Sequence, residues 1–234
     1  MRRVLRILGT VMVVGGVAAL LWALVVWQWQ DPFTSLYTRW QQHQLASRYD
    51  ERFTQFRPLR PAGATLAAER RTIALEATRY RRDSKRGQAI GRIKVPRLGL
   101  DMILVNGTDH DSLQKGPGRD LRTFMPGQGQ LIYIAGHRTT YLAPFSHIDS
   151  MRPGDRVTLE VPYGTFVYRV TKHRIVRSND LSVLQSHGRE QVILQACHPR
   201  FFATHRYLVY AVPIRVVPRV GHAYTPAALA IGAE

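Results

Sequence analysis

The chain contains one cysteine, Cys197. A lone thiol excludes a disulfide within the chain and leaves a candidate nucleophile. Two more residues suit its chemistry: His137 can carry protons, and Arg206 can stabilise an oxyanion. Together they would supply a nucleophile, a proton carrier and an anion stabiliser. Each also has a bland explanation. A free cysteine is often a small buried hydrophobe. His137 is one of 9 histidines, and Arg206 is one of 33 lysines and arginines.

Their setting narrows the choice. His137 ends the apolar run LIYIAGH, Cys197 ends QVILQAC, and Arg206 opens RYLVYAVPIRVV after a loop of eight residues. Neighbouring strands lie about 4.8 Å apart, so three strand ends can gather side chains that are distant in the chain. Other strand signals surround these. AIGRIKVPRLGLDMILV is punctuated by Pro96 and Gly99, and RVTLEV and TFVYRVTKHRIV flank the hairpin signal Pro162-Tyr163-Gly164. Many short strands at regular spacing predict an all-β domain, a closed barrel or a sandwich, over residues 89–218.

Two segments come before it. Residues 7–27 (ILGTVMVVGGVAALLWALVVW) carry no charge. As a helix they would cover about 31 Å, close to a bilayer core. Arg2, Arg3 and Arg6 precede this run, whereas the next 15 residues carry only Asp31 and Arg39. The positive-inside rule then keeps the amino terminus in the cytoplasm and the rest outside. Trp27 and Trp29 sit where an interfacial aromatic belt would be. A cleaved signal peptide is the competing reading. The length of the run and the lack of a small-x-small site favour an uncleaved, single-pass anchor over residues 1–30.

Residues 31–88 read as a helical spacer. Thr34 can cap a segment holding Leu36, Trp40 and Leu45, which Pro58, Pro61 and Gly63 then break. Thr65 can cap a second helix with Leu66, Ile73, Ala77 and Tyr80 on one face. Residues 81–86 (RRDSKR) read as an exposed hinge, and residues 219–234 as a flexible tail.

The net charge of +17 favours anionic partners: nucleic acid, lipid head groups or acidic wall polymers. A solvated basic surface is the bland alternative. The anchor argues against nucleic acid, because the basic domain would face away from the chromosome. No residue spacing signals a metal or an organic cofactor, and none is expected.

The flanking residues resemble the sortase family, and most of all its class E branch. Gly136-His137-Arg138-Thr139-Thr140-Tyr141, with Ala143-Pro144-Phe145, is similar to the GHRTTYGAPF stretch of that class. Ile148-Asp149 and Arg152-Pro153-Gly154-Asp155 match the segment that follows. Leu194 to Pro199 (LQACHP), then Arg200-Phe201, resembles TLTTCHPKF, and Arg206 falls at the family's arginine. The resemblance covers about residues 90–215. It implies a closed sortase-type β-barrel and a cysteine transpeptidase.

The resemblance implies a mechanism too. Cys197 would attack the threonine carbonyl of an LPXTG or LAXTG sorting signal. Arg206 would hold the oxyanion or the signal's backbone. His137 would protonate the departing glycine amine and deprotonate the incoming one. The partners implied are surface proteins that bear the signal and a lipid II-type peptidoglycan amine, with the enzyme a monomer. Tyr141, in the loop after His137, would contact the signal or pack that loop. His198 follows the nucleophile directly, but alternation along an extended segment turns it away from Cys197.

Two positions depart from the class E pattern. Gln195-Ala196 stands where Thr-Thr is usual, and Leu142 where glycine is usual. In sortases the residue before the cysteine lies beside the signal, so Ala196 is expected to alter substrate preference. Two other functions compete. An L,D-type transpeptidase would carry Ser-x-Gly-Cys with arginine almost at once after it, and Gln195-Ala196-Cys197-His198 does not. A non-enzymatic, membrane-tethered adaptor for wall polymers would keep Cys197 inert.

Overall fold

A computed structural model describes residues 2–28, 32–63 and 65–226. The Trp27 side chain, Trp29 and residues 227–234 of the expected tail lie outside the described residues. Helix α1 (Arg2–Gln28) contains the uncharged run, and its window Arg2–Leu24 has a mean hydropathy of 2.3. No part of that window is buried, and by length and composition the helix is long and apolar enough to cross a membrane.

Helix α2 (Pro32–Gln55) follows, then α3 (Leu66–Asp83). The expectation that Thr34 caps α2 is corrected. Pro32 opens the helix, where its fixed φ and missing N–H cost nothing, so Thr34 already lies in the first turn. Thr65 does cap α3: its side chain accepts from Ala68 N at 3.2 Å. Ile73, Ala77 and Tyr80 face the core, but Leu66, the first residue of the helix and two turns before Ile73, is 47% exposed. The expected hinge is also corrected in part. Arg81 and Arg82 belong to the last turn of α3, and the Arg81 guanidinium lies 4.4 Å from the Phe124 ring.

Eight strands close into a barrel: β1 (Ala89–Val95), β2 (Leu100–Asn106), β3 (Gly118–Arg119), β4 (Leu131–Ala135), β5 (Arg156–Val161), β6 (Gly164–Arg177), β7 (Gln191–His198) and β8 (His205–Pro218). Their order around the barrel is β1-β2-β3-β4-β7-β8-β6-β5. The β2–β3 and β4–β7 pairs are parallel. Pro96 and Gly99 make the β1–β2 turn, with Gly99 at φ 60, the left-handed region glycine enters freely. Alternation along the strands fills the interior with Ile93, Ile132, Leu159, Phe166, Leu194 and Val209. Full burial of such a side chain contributes about 1.5–3 kcal/mol.

The spacer is more than a spacer. Helix α3 inserts Ile73, Ala77 and Tyr80 into the same core cluster as the strands. Leu45 and Tyr49 of α2 pack on Ala89, Ile103 and Val105. Gln42 bonds both the N–H of Ile103, at 2.7 Å, and its carbonyl, at 3.1 Å. It thereby satisfies a stretch of β2 that the two-residue β3 does not reach. The near part of the tail is likewise bound, which corrects the expectation of a loose segment. Tyr224 and Val216 exchange two backbone bonds of 2.9 Å, and Arg219 N donates to Tyr163 O.

One partly buried carboxylate sets a stability prediction. Glu190 accepts from Tyr168 Oη at 2.6 Å and from Gly127 N and Gly129 N, both at 3.0 Å. Burial pushes its pKa up, chiefly by desolvating the charge. The folded state therefore holds this proton more tightly than the unfolded chain. The stability it contributes is full below the ordinary carboxylate range and is lost as pH rises through the raised value. Glu190→Gln should flatten the change in thermal midpoint across that window. An unchanged slope would place the pH dependence in other groups.

Candidate active site

Strand β4 lies between β3 and β7, in parallel register with β7 from Leu131↔Gln191 to Ala135↔Gln195. Gly136 N continues the ladder with a 3.0 Å bond to Gln195 O. Two residues past the last pair stand His137 and Cys197, so their backbones run side by side at about the 4.8 Å strand spacing. On the other side, Cys197 pairs directly with Arg206 across the antiparallel β7–β8 ladder. The three residues thus occupy three adjacent strand ends.

Alternation decides which way they point. Val192, Leu194 and Ala196 belong to the barrel interior. Ile193 belongs to a second cluster with Leu131, Tyr133, Ala135, Leu208 and Tyr210. Residues an even number of positions away along each strand share that outer face, which places His137, Cys197 and Arg206 together on the outside wall of the barrel. Cys197 is partly exposed there. Strand ends alone suggested the barrel mouth; the phase of the three strands selects its outer wall.

Ala196 is a contrary case. Its methyl is fully buried in the interior, on the opposite face from the Cys197 thiol. It has no exposed surface to offer a peptide. The expected contact with a bound signal is corrected for that reason: any effect of Ala196 on specificity runs through packing beneath Cys197.

His137 is held by its own loop. Phe145 N donates to His137 O at 3.1 Å, and the Tyr141 ring lies 4.9 Å from the imidazole, tilted by 40°. His137 Nε2 is buried and has no hydrogen-bond partner among the described residues. Burial first, and then the charge of His110, hold its pKa below the ordinary 6.5. Burial therefore favours the neutral ring. An NMR titration should place its midpoint below 6.5; a higher value would mean that a stabilising anion sits nearby.

The loop itself is strained. Tyr141, Leu142 and Ala143 have φ of 52, 62 and 39, all in the left-handed region that β-carbons disfavour. Helix α2 helps to hold it, since Tyr141 N donates to Thr34 Oγ1 at 3.1 Å. Gly136 at the start of the loop admits no side chain. A Cβ there would come within 2.7 Å of Phe145 Cδ2 and 2.9 Å of Cε2. Gly136→Ala should displace Phe145, cost about 1–3 kcal/mol of stability and lower turnover by moving His137. A folded Gly136→Ala variant with wild-type stability would show that Phe145 yields freely.

Arg206 is anchored by the loop before it. Its Nη1 donates to Ala203 O at 2.7 Å and to His205 O at 3.0 Å. The β7–β8 loop also presents Phe201 and Phe202 to solvent.

A residue quoted only as part of a motif turns out to be central. Arg138 is buried, and its Nη1 donates to Cys197 O at 3.2 Å and to His198 Nδ1 at 3.0 Å. Its Nη2 donates to Asp149 Oδ2 at 2.6 Å. The His198 ring also packs 5.9 Å from the Tyr207 ring, whose neighbours are interior residues. It is bonded on the side away from the thiol.

Comparison with known proteins agrees with this architecture. The sortase-domain family model matches residues 93–214. The chain belongs to the sortase family. A sortase D from Bacillus subtilis (strain 168) is 34% identical over 128 residues, 53% of this chain and 63% of the relative. The chain thus spans less than two thirds of that relative's length. Among solved structures, a sortase D5 transpeptidase from Clostridium perfringens superposes with a TM-score of 0.60 at 21% identity. It covers 74% of this chain and 98% of that one, and it shares the fold. A sortase E from Streptomyces avermitilis gives a TM-score of 0.52 at 27% identity, covering 57% and 93%.

Proposed function

We propose that this chain is a membrane-anchored cysteine transpeptidase that cleaves an LPXTG- or LAXTG-type sorting signal between Thr and Gly. It then transfers the protein to a cell-wall peptide amine. One observation carries the reading: a thiol, an imidazole and a guanidinium share one outer face on adjacent strand ends. Cys197 attacks the threonine carbonyl, and Arg206 offers donors to the oxyanion. The neutral imidazole of His137 takes the thiol proton and passes it to the departing glycine amine. A second amine, of a lipid II-type precursor, then resolves the thioester with His137 as base.

Helix α1 serves as a single-pass anchor, amino terminus in the cytoplasm and barrel outside, because Arg2, Arg3 and Arg6 flank its start. The enzyme acts as a monomer. Its class E character rests on the stretches around His137 and Cys197, although the sortase D relative has the higher overall identity. Tyr141 lines the signal beside His137. Full-length protein in detergent, given LAXTG and LPXTG peptides with glycine and diaminopimelate amines, tests this by product mass. Thr-linked amide products from either peptide support the reading. Cleavage after another residue, or no product with any pair, overturns the substrate assignment.

A further inference from the structure

Arg138 is adjacent in sequence to His137, yet its side chain reaches the end of β7, the turn Ile148–Ser150 and the Tyr207 ring of β8. Its side chain is 3% exposed, and its carboxylate partner, Asp149, is 51% exposed. Burying a guanidinium costs several kcal/mol unless its hydrogen bonds are satisfied. Here a single carboxylate at the surface is joined by the Cys197 carbonyl and the His198 ring. Ser146 O lies farther off, at 3.5 Å from Nε. The Tyr207 ring stands 6.0 Å from the guanidinium carbon. A scaffold residue could have been apolar. One of these partners is instead the main chain of Cys197, and the residue that bears the side chain is bonded to His137.

We propose that Arg138 is a positioning residue for the reaction described above: it clamps the Cys197 strand end to the His137 loop. This rests on the assignment of Cys197 and His137 to the chemistry. Two consequences follow from the donor inventory. Arginine has donors and no acceptor, so the planar fork fixes two partners at once. His198 Nδ1 must then accept, and the ring carries its proton on Nε2. The clamp thus ties His198 into the fold and leaves proton transfer to His137. Asp149, from the turn Ile148–Ser150, holds the far end of the fork.

The test uses the full chain in detergent with Arg138→Lys, Arg138→Met and Asp149→Asn. Lysine keeps the charge but not the fork. Misplacement of reacting groups by about 1 Å can cost 10²-fold, so Arg138→Lys should lower kcat by about that factor with KM changed less than about twofold. Asp149→Asn should lower kcat less, and adding it to Arg138→Lys should cost little more, because both act through one clamp. Imidazole ¹⁵N shifts should show His198 protonated at Nε2 in the wild type and as a mixture of tautomers in Arg138→Met. A folded Arg138→Lys variant with wild-type kcat, or a loss confined to KM, would overturn the proposal. So would wild-type His198 carrying its proton on Nδ1. Turnover surviving in Cys197→Ala would instead sink the assignment of the nucleophile. If Arg138→Met fails to fold, Arg138→Lys and Asp149→Asn still decide the kcat and tautomer outcomes.

Discussion

Cys197→Ala should abolish formation of the Thr-linked product while leaving the fold intact. Cys197 is the chain's sole thiol and lies partly exposed on the outer wall. Alanine removes one sulfur from a partly exposed position, so it leaves no buried cavity of consequence and no unpaired buried polar group. The thermal midpoint should therefore stay close to the wild type, while kcat falls to background. Peptide cleavage monitored by chromatography, with a thermal melt of the same sample, checks both halves. Turnover that persists in folded Cys197→Ala protein would exclude the thiol as nucleophile. Cys197→Ser would add detail, since an alkoxide is harder to form than a thiolate at neutral pH.

Arg206→Ala should cost nearly as much. Loss of a single oxyanion donor typically costs about 2.7–4 kcal/mol, or 10²–10³-fold in kcat. Arg206 sits across the ladder from Cys197, with Nη1 fastened to Ala203 and His205 carbonyls. Those bonds orient the fork before substrate arrives, which is where preorganised electrostatics gains its effect. Lysine at this position keeps the charge but loses the planar pair of donors, so Arg206→Lys should fall between wild type and alanine. A fall in kcat/KM that lies wholly in KM would move Arg206 from the oxyanion to the backbone of the bound signal. No change at all would remove it from the site. His137→Ala should lower kcat by about 10²–10⁴-fold, the usual range for a lost general acid–base.

Much of this was legible in the chain because strands and caps leave local marks. The runs ending at His137 and Cys197 became β4 and β7, the Pro96–Gly99 punctuation became the β1–β2 turn, and Thr65 capped α3. What escaped depends on contacts across distant parts of the sequence. Strand β3 has only Gly118 and Arg119, too short for any period. It is held by the buried Arg119 guanidinium, bonded to Asn106 Oδ1 at 3.0 and 2.6 Å and pulled down to a pKa of about 10 by desolvation. The inward turn of Ala196 follows from the phase of a barrel strand, which a motif comparison does not carry. Arg138 looked like one more basic residue among many, because its partners, Cys197 and His198, lie about sixty positions away. Likewise, α2 is more than a spacer through Gln42 and Thr34, whose bonds to β2 and to the His137 loop leave no local mark in the sequence.

The central claim is that a peptide acyl group rests on Cys197 between cleavage and transfer. Intact mass spectrometry of the full chain, quenched in acid soon after mixing with an LAXTG or LPXTG peptide, tests it most directly. The account predicts an added mass equal to the peptide up to Thr, located by fragmentation on Cys197, absent from Cys197→Ala and discharged by an added amine. Product formation with no such adduct, or an adduct on another residue, would contradict it.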